Sequence, residues 1–211
     1  MNYFQPRELR RHTALLVIDM QQGFDDPSWG PRNNPGAEHN VAALIAAWRQ
    51  ARAPVLHIHH DSPAPTGKFR HGTPGNAPKP EALPLPGERI YRKSVNSAFI
   101  GTRLDADLRA QEVETLVIVG LTTNHCISTT ARMAGNLGYR TFVAADATAT
   151  FDRAALDGTT RRAEEVHQAA LSDLQGEFAQ VVASRWLMVA LANAPDVATG
   201  SNDTCVAALP G

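Results

Sequence analysis

The sequence predicts an α/β fold with three layers, α/β/α, around a mainly parallel central sheet. Three observations carry this prediction. Apolar runs such as Thr13-Ala14-Leu15-Leu16-Val17-Ile18 and Leu116-Val117-Ile118-Val119 are continuous rather than alternating, the pattern of strands covered on both faces. Segments with helical spacing of apolar residues separate these runs, so successive strands are joined by right-handed crossovers. Three segments lead into a chemically capable residue, which places Asp19, Lys93 and Cys126 at one edge of the sheet if the strands are parallel.

The first strand spans residues 13–19 and ends in an acid. Gly, Pro and Asn crowd residues 23–36, a loop that holds Phe24 and Trp29. Residues 41–51 form an Ala-rich helix with Val41, Leu44, Ile45 and Trp48 on its apolar face. Residues 54–60 are the next strand. From 61 to 87 Pro and Gly dominate without periodicity, an insertion of the kind that is functional or mobile. Residues 88–93 read as a short strand, and Thr102-Arg103-Leu104-Asp105 as a variant capping box opening a helix over 103–111.

The strand through Val119 stops at Gly120. After a Thr/Asn/His segment, Cys126 opens a helix with Ile127, Ala131 and Ala134 at helical spacing and Gly138 as its stop. A strand over 139–145, a loop over 146–160 and an amphipathic helix over 161–174 follow, with Ala163, Val166, Ala170 and Leu174 apolar. Residues 178–182 are the last strand, residues 184–192 add a helix, and the remainder reads as a frayed tail. With no repeat and no interdomain linker, 1–211 reads as one domain with its core at 13–182.

The 211 residues are 43% hydrophobic and 19% charged, enough for a sizeable core, and the net charge of −1 leaves no electrostatic footprint for nucleic acid or an anionic membrane. No apolar run approaches the roughly 20 residues that cross a bilayer, and the first residues lack the apolar core of a secretory signal. Cys126 and Cys205 are the only cysteines, Cys205 in the polar tail, so no disulfide framework is expected and a cytoplasmic location fits.

Cys126 sits at a strand-to-helix turn, where the unpaired N–H groups of a first helical turn favour negative charge and lower a thiol's pKa. A buried structural cysteine is the alternative. Asp19 and Lys93 at the same edge tilt the reading toward a nucleophile: a carboxylate can take the thiol proton and return it to a leaving amine, and an ammonium can hold the thiolate. Taken singly, Asp19 is a cap or turn residue and Lys93 a solvated charge. The three together carry the inference.

The chain resembles the isochorismatase-like cysteine hydrolase superfamily, which includes nicotinamidases, N-carbamoylsarcosine amidohydrolase and ureidoacrylate amidohydrolases. The matching residues are Leu15–Gln21 with Phe24, Lys93 with Ser97-Ala98-Phe99, Val117–Cys126, Thr130-Ala131, Gly138-Tyr139 and Asp146-Ala147. The resemblance implies a Rossmann-like sheet, a catalytic triad of Asp19, Lys93 and Cys126, a thioester intermediate, and a cis peptide between Leu121 and Thr122. It further implies an oxyanion hole from the N–H groups of Thr122 and Cys126, and a homodimer or homotetramer. Cys126 argues against the ether-cleaving isochorismatases, which typically lack the cysteine. His59-His60-Asp61-Ser62-Pro63 departs from the Asp-Trp-His-Pro type of metal site in nicotinamidases. His57 and His59 share a strand face from which, with Asp61, a metal can be held, but packed strand-end histidines are the preferred reading, and neither metal nor cofactor is expected.

In this architecture Phe24, Trp29 and Phe151 fall in loops around the triad and would line a pocket for a small planar or apolar acyl group. Arg70 and His71 in the long loop are possible partners for a substrate carboxylate, although solvation is their default. The expected activity is hydrolysis of a C–N bond in a small amide, ureido or carbamoyl compound. The alternatives are a non-catalytic ligand-binding member and a different hydrolase on the same scaffold. Residues 186–191 suit either a subunit contact or a last intrachain helix.

Overall fold

The computed structural model describes residues 9–10 and 12–194. Cys205 and the predicted tail fall outside them. Strand β1 (Ala14–Ile18) is the centre of the fold because both its faces are apolar and buried. Leu15 and Val17 point to one side, where they meet Val41, Leu44, Ile45 and Trp48 of helix α1 (Ala37–Gln50). Ala14, Leu16 and Ile18 point to the other. There they join Leu104 and Leu108 of α2 (Leu104–Ala110) and Ala131 and Ala134 of α3 (Ser128–Asn136). Burial of each such Leu or Ile side chain is worth about 1.5–3 kcal/mol, and the period of two sends alternate residues to opposite layers.

Around β1 lie β2 (Val55–His60), β3 (Arg89–Lys93), β4 (Thr115–Leu121) and β5 (Arg140–Ala149). A small hairpin of β6 (Arg153–Ala154) and β7 (Thr160–Arg161), then α4 (Ala163–Leu174), β8 (Gln180–Val182) and α5 (Ser184–Ala192) complete the described chain. The six-stranded sheet runs β3-β2-β1-β4-β5-β8, with every neighbouring pair parallel. This is the doubly wound order, and the chain changes direction across the sheet between β1 and β4, where such folds open a crevice at the carboxyl ends of the strands. Gly120 closes that switch point: its φ is +116°, and a Cβ there would lie 1.9 Å from the carbonyl oxygen of Ile18.

Outside the site, the structure corrects several sequence expectations. Strand β5 continues to Ala149 instead of stopping at Ala145, because Thr148 and Ala149 pair with Gly120 and Leu121 beyond a bulge. The rest of the expected 146–160 loop contains the start of the β6–β7 hairpin. In α4 the fully buried residues include His167 and Leu171, while Val166 and Ala170 sit at the margin of the face. Thr102 does accept from the Leu104 N–H, at 3.2 Å, but Asp105 takes the Tyr139 hydroxyl at 2.6 Å, so no reciprocal capping box forms.

Asp146, one of the matching residues, has a structural role with Ser184. Asp146 accepts from both the N–H and the hydroxyl of Ser184 at 2.7 and 2.8 Å and fixes the start of α5. That helix buries Leu187 and Leu191 against the α1 layer, so residues 186–191 form an intrachain helix. Among the described residues no helix is long and apolar enough to cross a membrane.

Candidate active site

Strand register decides which side chains meet. Ile18 pairs with Gly120, which sets Asp19 beside the end of β4. His60 pairs with Lys93, which sets the lysine across β2 from Asp19. Asp19 itself adopts φ +50°, a left-handed turn that Asp tolerates better than most residues. Its N–H donates to the Ile58 carbonyl at 2.8 Å. Lys93 Nζ then lies 2.7 Å from Asp19 Oδ2, 3.3 Å from Cys126 Sγ and 3.4 Å from His60 Nδ1. Asp19 and Lys93 are 1% and 2% exposed, so this is a desolvated ion pair. The second carboxylate oxygen, Oδ1, is buried without a hydrogen-bond partner among the described residues.

Cys126 does not open a regular helix. It lies in a single π-helical turn, Thr123–Ile127, and α3 starts behind it at Ser128. Thr122 O accepts from the N–H groups of His125 (3.1 Å) and Ile127 (3.2 Å), which fixes this turn. The Leu121–Thr122 peptide is cis. Behind the site, Thr130 Oγ1 accepts from the Ala98 N–H at 3.1 Å and ties the segment after β3 to α3.

The expected lowering of the thiol pKa is not met. Burial, followed by the negative charge of Asp19, pushes the Cys126 thiol up to about 12, and the Lys93 ammonium offsets only part of this. Cys126 therefore rests as a neutral thiol beside a carboxylate, and a nucleophile made here loses its proton during attack rather than before it.

Above these residues is a cavity of about 430 Å³ lined by Asp19, His60, Thr122 and Cys126 on its floor. Phe24, Trp29 and Phe151 come together in its wall, with ring centroids 5.4–6.1 Å apart. Phe69 joins them, 4.6 Å from Phe24 and 5.9 Å from the His60 ring. The long insertion thus folds over the cavity. Asn76 holds it by donating to the carbonyls of His60 and Phe69, both at 2.9 Å, and Lys68 pairs with Asp26 at 2.6 Å. Arg70 does not line the cavity, and His71 faces Asp61 (3.5 Å) and Arg92 (3.2 Å) instead.

A family model for the isochorismatase domain matches residues 13–185. The chain belongs to the isochorismatase family of hydrolases. It is 42% identical to the uncharacterized isochorismatase family protein YrdC of Bacillus subtilis (strain 168), over 83% of this chain and 94% of that one. It is 31% identical to maleamate amidohydrolase of Pseudomonas putida KT2440, over 82% and 83%. A crystal structure assigned to the same family of hydrolases, from Chromobacterium violaceum ATCC 12472, superposes with a TM-score of 0.86 at 48% identity, covering 89% of this chain and 99% of that one.

In this isochorismatase-family chain His57, His59 and Asp61 do not converge. His57 Nε2 meets Glu88 at 2.9 Å, His59 is buried, and Asp61 takes Arg92 at 2.8 Å. His60, on the opposite face of β2, turns to the site. Among the described residues, the ligand atoms of Asp19, His60 and Cys126 lie within 4.8 Å of one another. Lys93 already places a positive charge among them, so a metal cation would meet repulsion where it needs ligands.

His60 and Phe69 are site residues beyond those expected from the sequence. His60 carried a signal, since it falls one step out of phase with His57 and His59 on the strand. Phe69 carried none, because an irregular loop has no period. Gln21 positions His60 directly and Phe69 through Asn76: its side chain accepts from the His60 N–H at 2.7 Å and donates to the carbonyls of His60 and Asn76 at 3.1 and 2.9 Å.

Buried His59 also sets an acid limit. Burial and the Arg92 charge lower its pKa from 6.5 to about 4. Between these values the unfolded chain binds a proton that the folded chain refuses, so stability rises with pH from about 4 to 6.5. The expected loss on acidification through that window is about 3 kcal/mol. Urea midpoints at pH 4 and 7.5 measure it, and His59→Asn is expected to flatten the difference; an equally steep profile in the variant would assign the loss to other groups.

Proposed function

We propose that this chain hydrolyses a C–N bond in a small amide, ureido or carbamoyl compound through a thioester on Cys126. The observation that carries the reading is the single ammonium of Lys93 touching both Asp19 (2.7 Å) and Cys126 (3.3 Å) on the floor of an aromatic-walled cavity. The 31% identity to a protein named maleamate amidohydrolase supports amide chemistry on this scaffold.

In this proposal the Cys126 sulfur attacks the carbonyl carbon while the thiol proton passes to Asp19 Oδ1, the carboxylate oxygen left without a partner. The N–H groups of Thr122 and Cys126 receive the developing oxyanion. Asp19 then gives the proton to the departing nitrogen, and ammonia or an amine leaves as the thioester forms. Water, deprotonated by Asp19, attacks the thioester and restores the thiol and a carboxylic or carbamic acid. Lys93 keeps the carboxylate in place throughout, and neutral His60 accepts its third contact at 3.4 Å.

An acid quench during turnover of a panel of small amides tests the covalent route. Peptide mapping is expected to find the acyl mass on the Cys126 peptide, with ammonia released in at least the amount of adduct. Ammonia release with an unmodified Cys126 peptide at every quench time would instead point to direct attack by water.

A further inference from the structure

We propose that Arg153 is the specificity-determining residue of the cavity and that it selects amides carrying a carboxylate. The inference rests on the amidase reading and narrows it. Arg153 begins β6 and lines the same cavity as Cys126 and Thr122. Its Nη1 donates to Nε2 of His125 at 3.1 Å. Among the described residues no carboxylate pairs with its guanidinium, because the nearby acids are engaged elsewhere. Asp152 accepts from the Ala163 N–H at 2.7 Å and faces Arg162 at 3.8 Å, and Glu164 accepts from Asn33 at 3.0 Å and Gln168 at 2.6 Å. Lys68, the other cation lining the cavity, is paired with Asp26 at 2.6 Å. Arg153 is therefore the lining cation that brings an uncompensated charge, and a guanidinium fork with one of five donors used matches a carboxylate.

The wall that carries it is ordered by hydrogen bonds. Thr150 Oγ1 donates to Asn124 Oδ1 at 2.5 Å, and the Asn124 amide nitrogen lies 3.3 Å from His125 Nε2. His125 Nδ1 faces Thr122 Oγ1 at 3.4 Å. Because Arg153 donates to Nε2, the neutral imidazole carries its proton on Nδ1, toward Thr122. One imidazole ring thus separates the guanidinium from the residue that starts the nucleophile turn. Arg153, Cys126, Phe151 and Trp29 line one cavity of about 430 Å³, so a small substrate with its carboxylate on the guanidinium can present its amide to Cys126. Arg153 is itself exposed, at the mouth of the cavity, so the pair draws its strength from the two-pronged geometry of guanidinium and carboxylate rather than from burial.

Two matched pairs of probes test this: succinamate with butyramide, and N-carbamoylglycine with ethylurea, each pair differing by carboxylate against methyl. The readout is the ratio of kcat/KM within a pair, by ammonia release. Wild type is expected to favour the acid by about 10- to 100-fold in at least one pair, the range of a charge-assisted hydrogen bond. Arg153→Met is expected to bring that ratio close to one, and Arg153→Lys to keep an intermediate value.

A ratio at or below one in wild type for both pairs, or a ratio unchanged in Arg153→Met, overturns the proposal. Calorimetric titration of Cys126→Ala protein with the same probes separates this from failure of the amidase reading. If no probe is hydrolysed, tighter binding of the acid that disappears in Cys126→Ala/Arg153→Met still supports the carboxylate site. Equal binding of acid and neutral probe overturns it.

Discussion

Cys126→Ala is expected to reduce ammonia release to background, and Asp19→Asn to lower it by about 10²–10⁴-fold, the range attached to a positioned acid–base group. The two variants are expected to part company in a second assay. The Cys126 thiol is held up near 12 first by burial and then by the Asp19 charge, with Lys93 opposing. In wild type, alkylation of Cys126 by iodoacetamide is therefore expected to climb with pH without a plateau below about pH 10. Removing the Asp19 charge leaves the ammonium unopposed, so in Asp19→Asn the alkylation profile shifts to lower pH while turnover collapses. A more ionised but less active thiol is the signature of a base that works during attack. Peptide-resolved alkylation rates alongside the ammonia assay check both halves. Turnover retained in Cys126→Ala but lost in Asp19→Asn would overturn the thioester route and favour a different hydrolase on this scaffold.

Lys93→Met is expected to destabilise the fold by about 3–5 kcal/mol, measured as a drop in the urea unfolding free energy. The reason is the partner left behind. Asp19 is 1% exposed and its Oδ1 already has no hydrogen-bond donor, so deleting the ammonium strands a buried carboxylate. A methionine fills the volume of the lysine stem, which separates lost charge from lost packing. The double variant Asp19→Asn/Lys93→Met is expected to recover much of the loss, because no uncompensated charge remains. Strictly additive effects of the two substitutions would show that the ion pair does not couple them. On the proposed mechanism, this costly burial serves the site rather than the stability of the sheet.

The chain order of the elements was legible from the residues because burial on two faces leaves a local mark. Leu15–Ile18 and Leu116–Val119 are continuous apolar runs, and both became central parallel strands. The helix face of Val41, Leu44, Ile45 and Trp48 was equally local, being set by the 3.6-residue period. Asp19, Lys93 and Cys126 stood out because each breaks such a pattern at its carboxyl end, and parallel strands bring those ends to one edge.

What the sequence did not determine is whatever depends on residues far apart along the chain. The thiol pKa rises because burial and Asp19 act through space, so the position of Cys126 near a helix start pointed the wrong way. His60 entered the site, rather than its neighbours His57 and His59, only once strand register with β3 set which face looks at Lys93. Phe69 closed the cavity from a loop with no period of its own, and Arg153 has no carboxylate partner among the described residues because Asp152 and Glu164 found other partners. Periodicity in the sequence thus determined the sheet and the edge that carries the candidate site, while desolvation and pairing in three dimensions decided how that edge is charged.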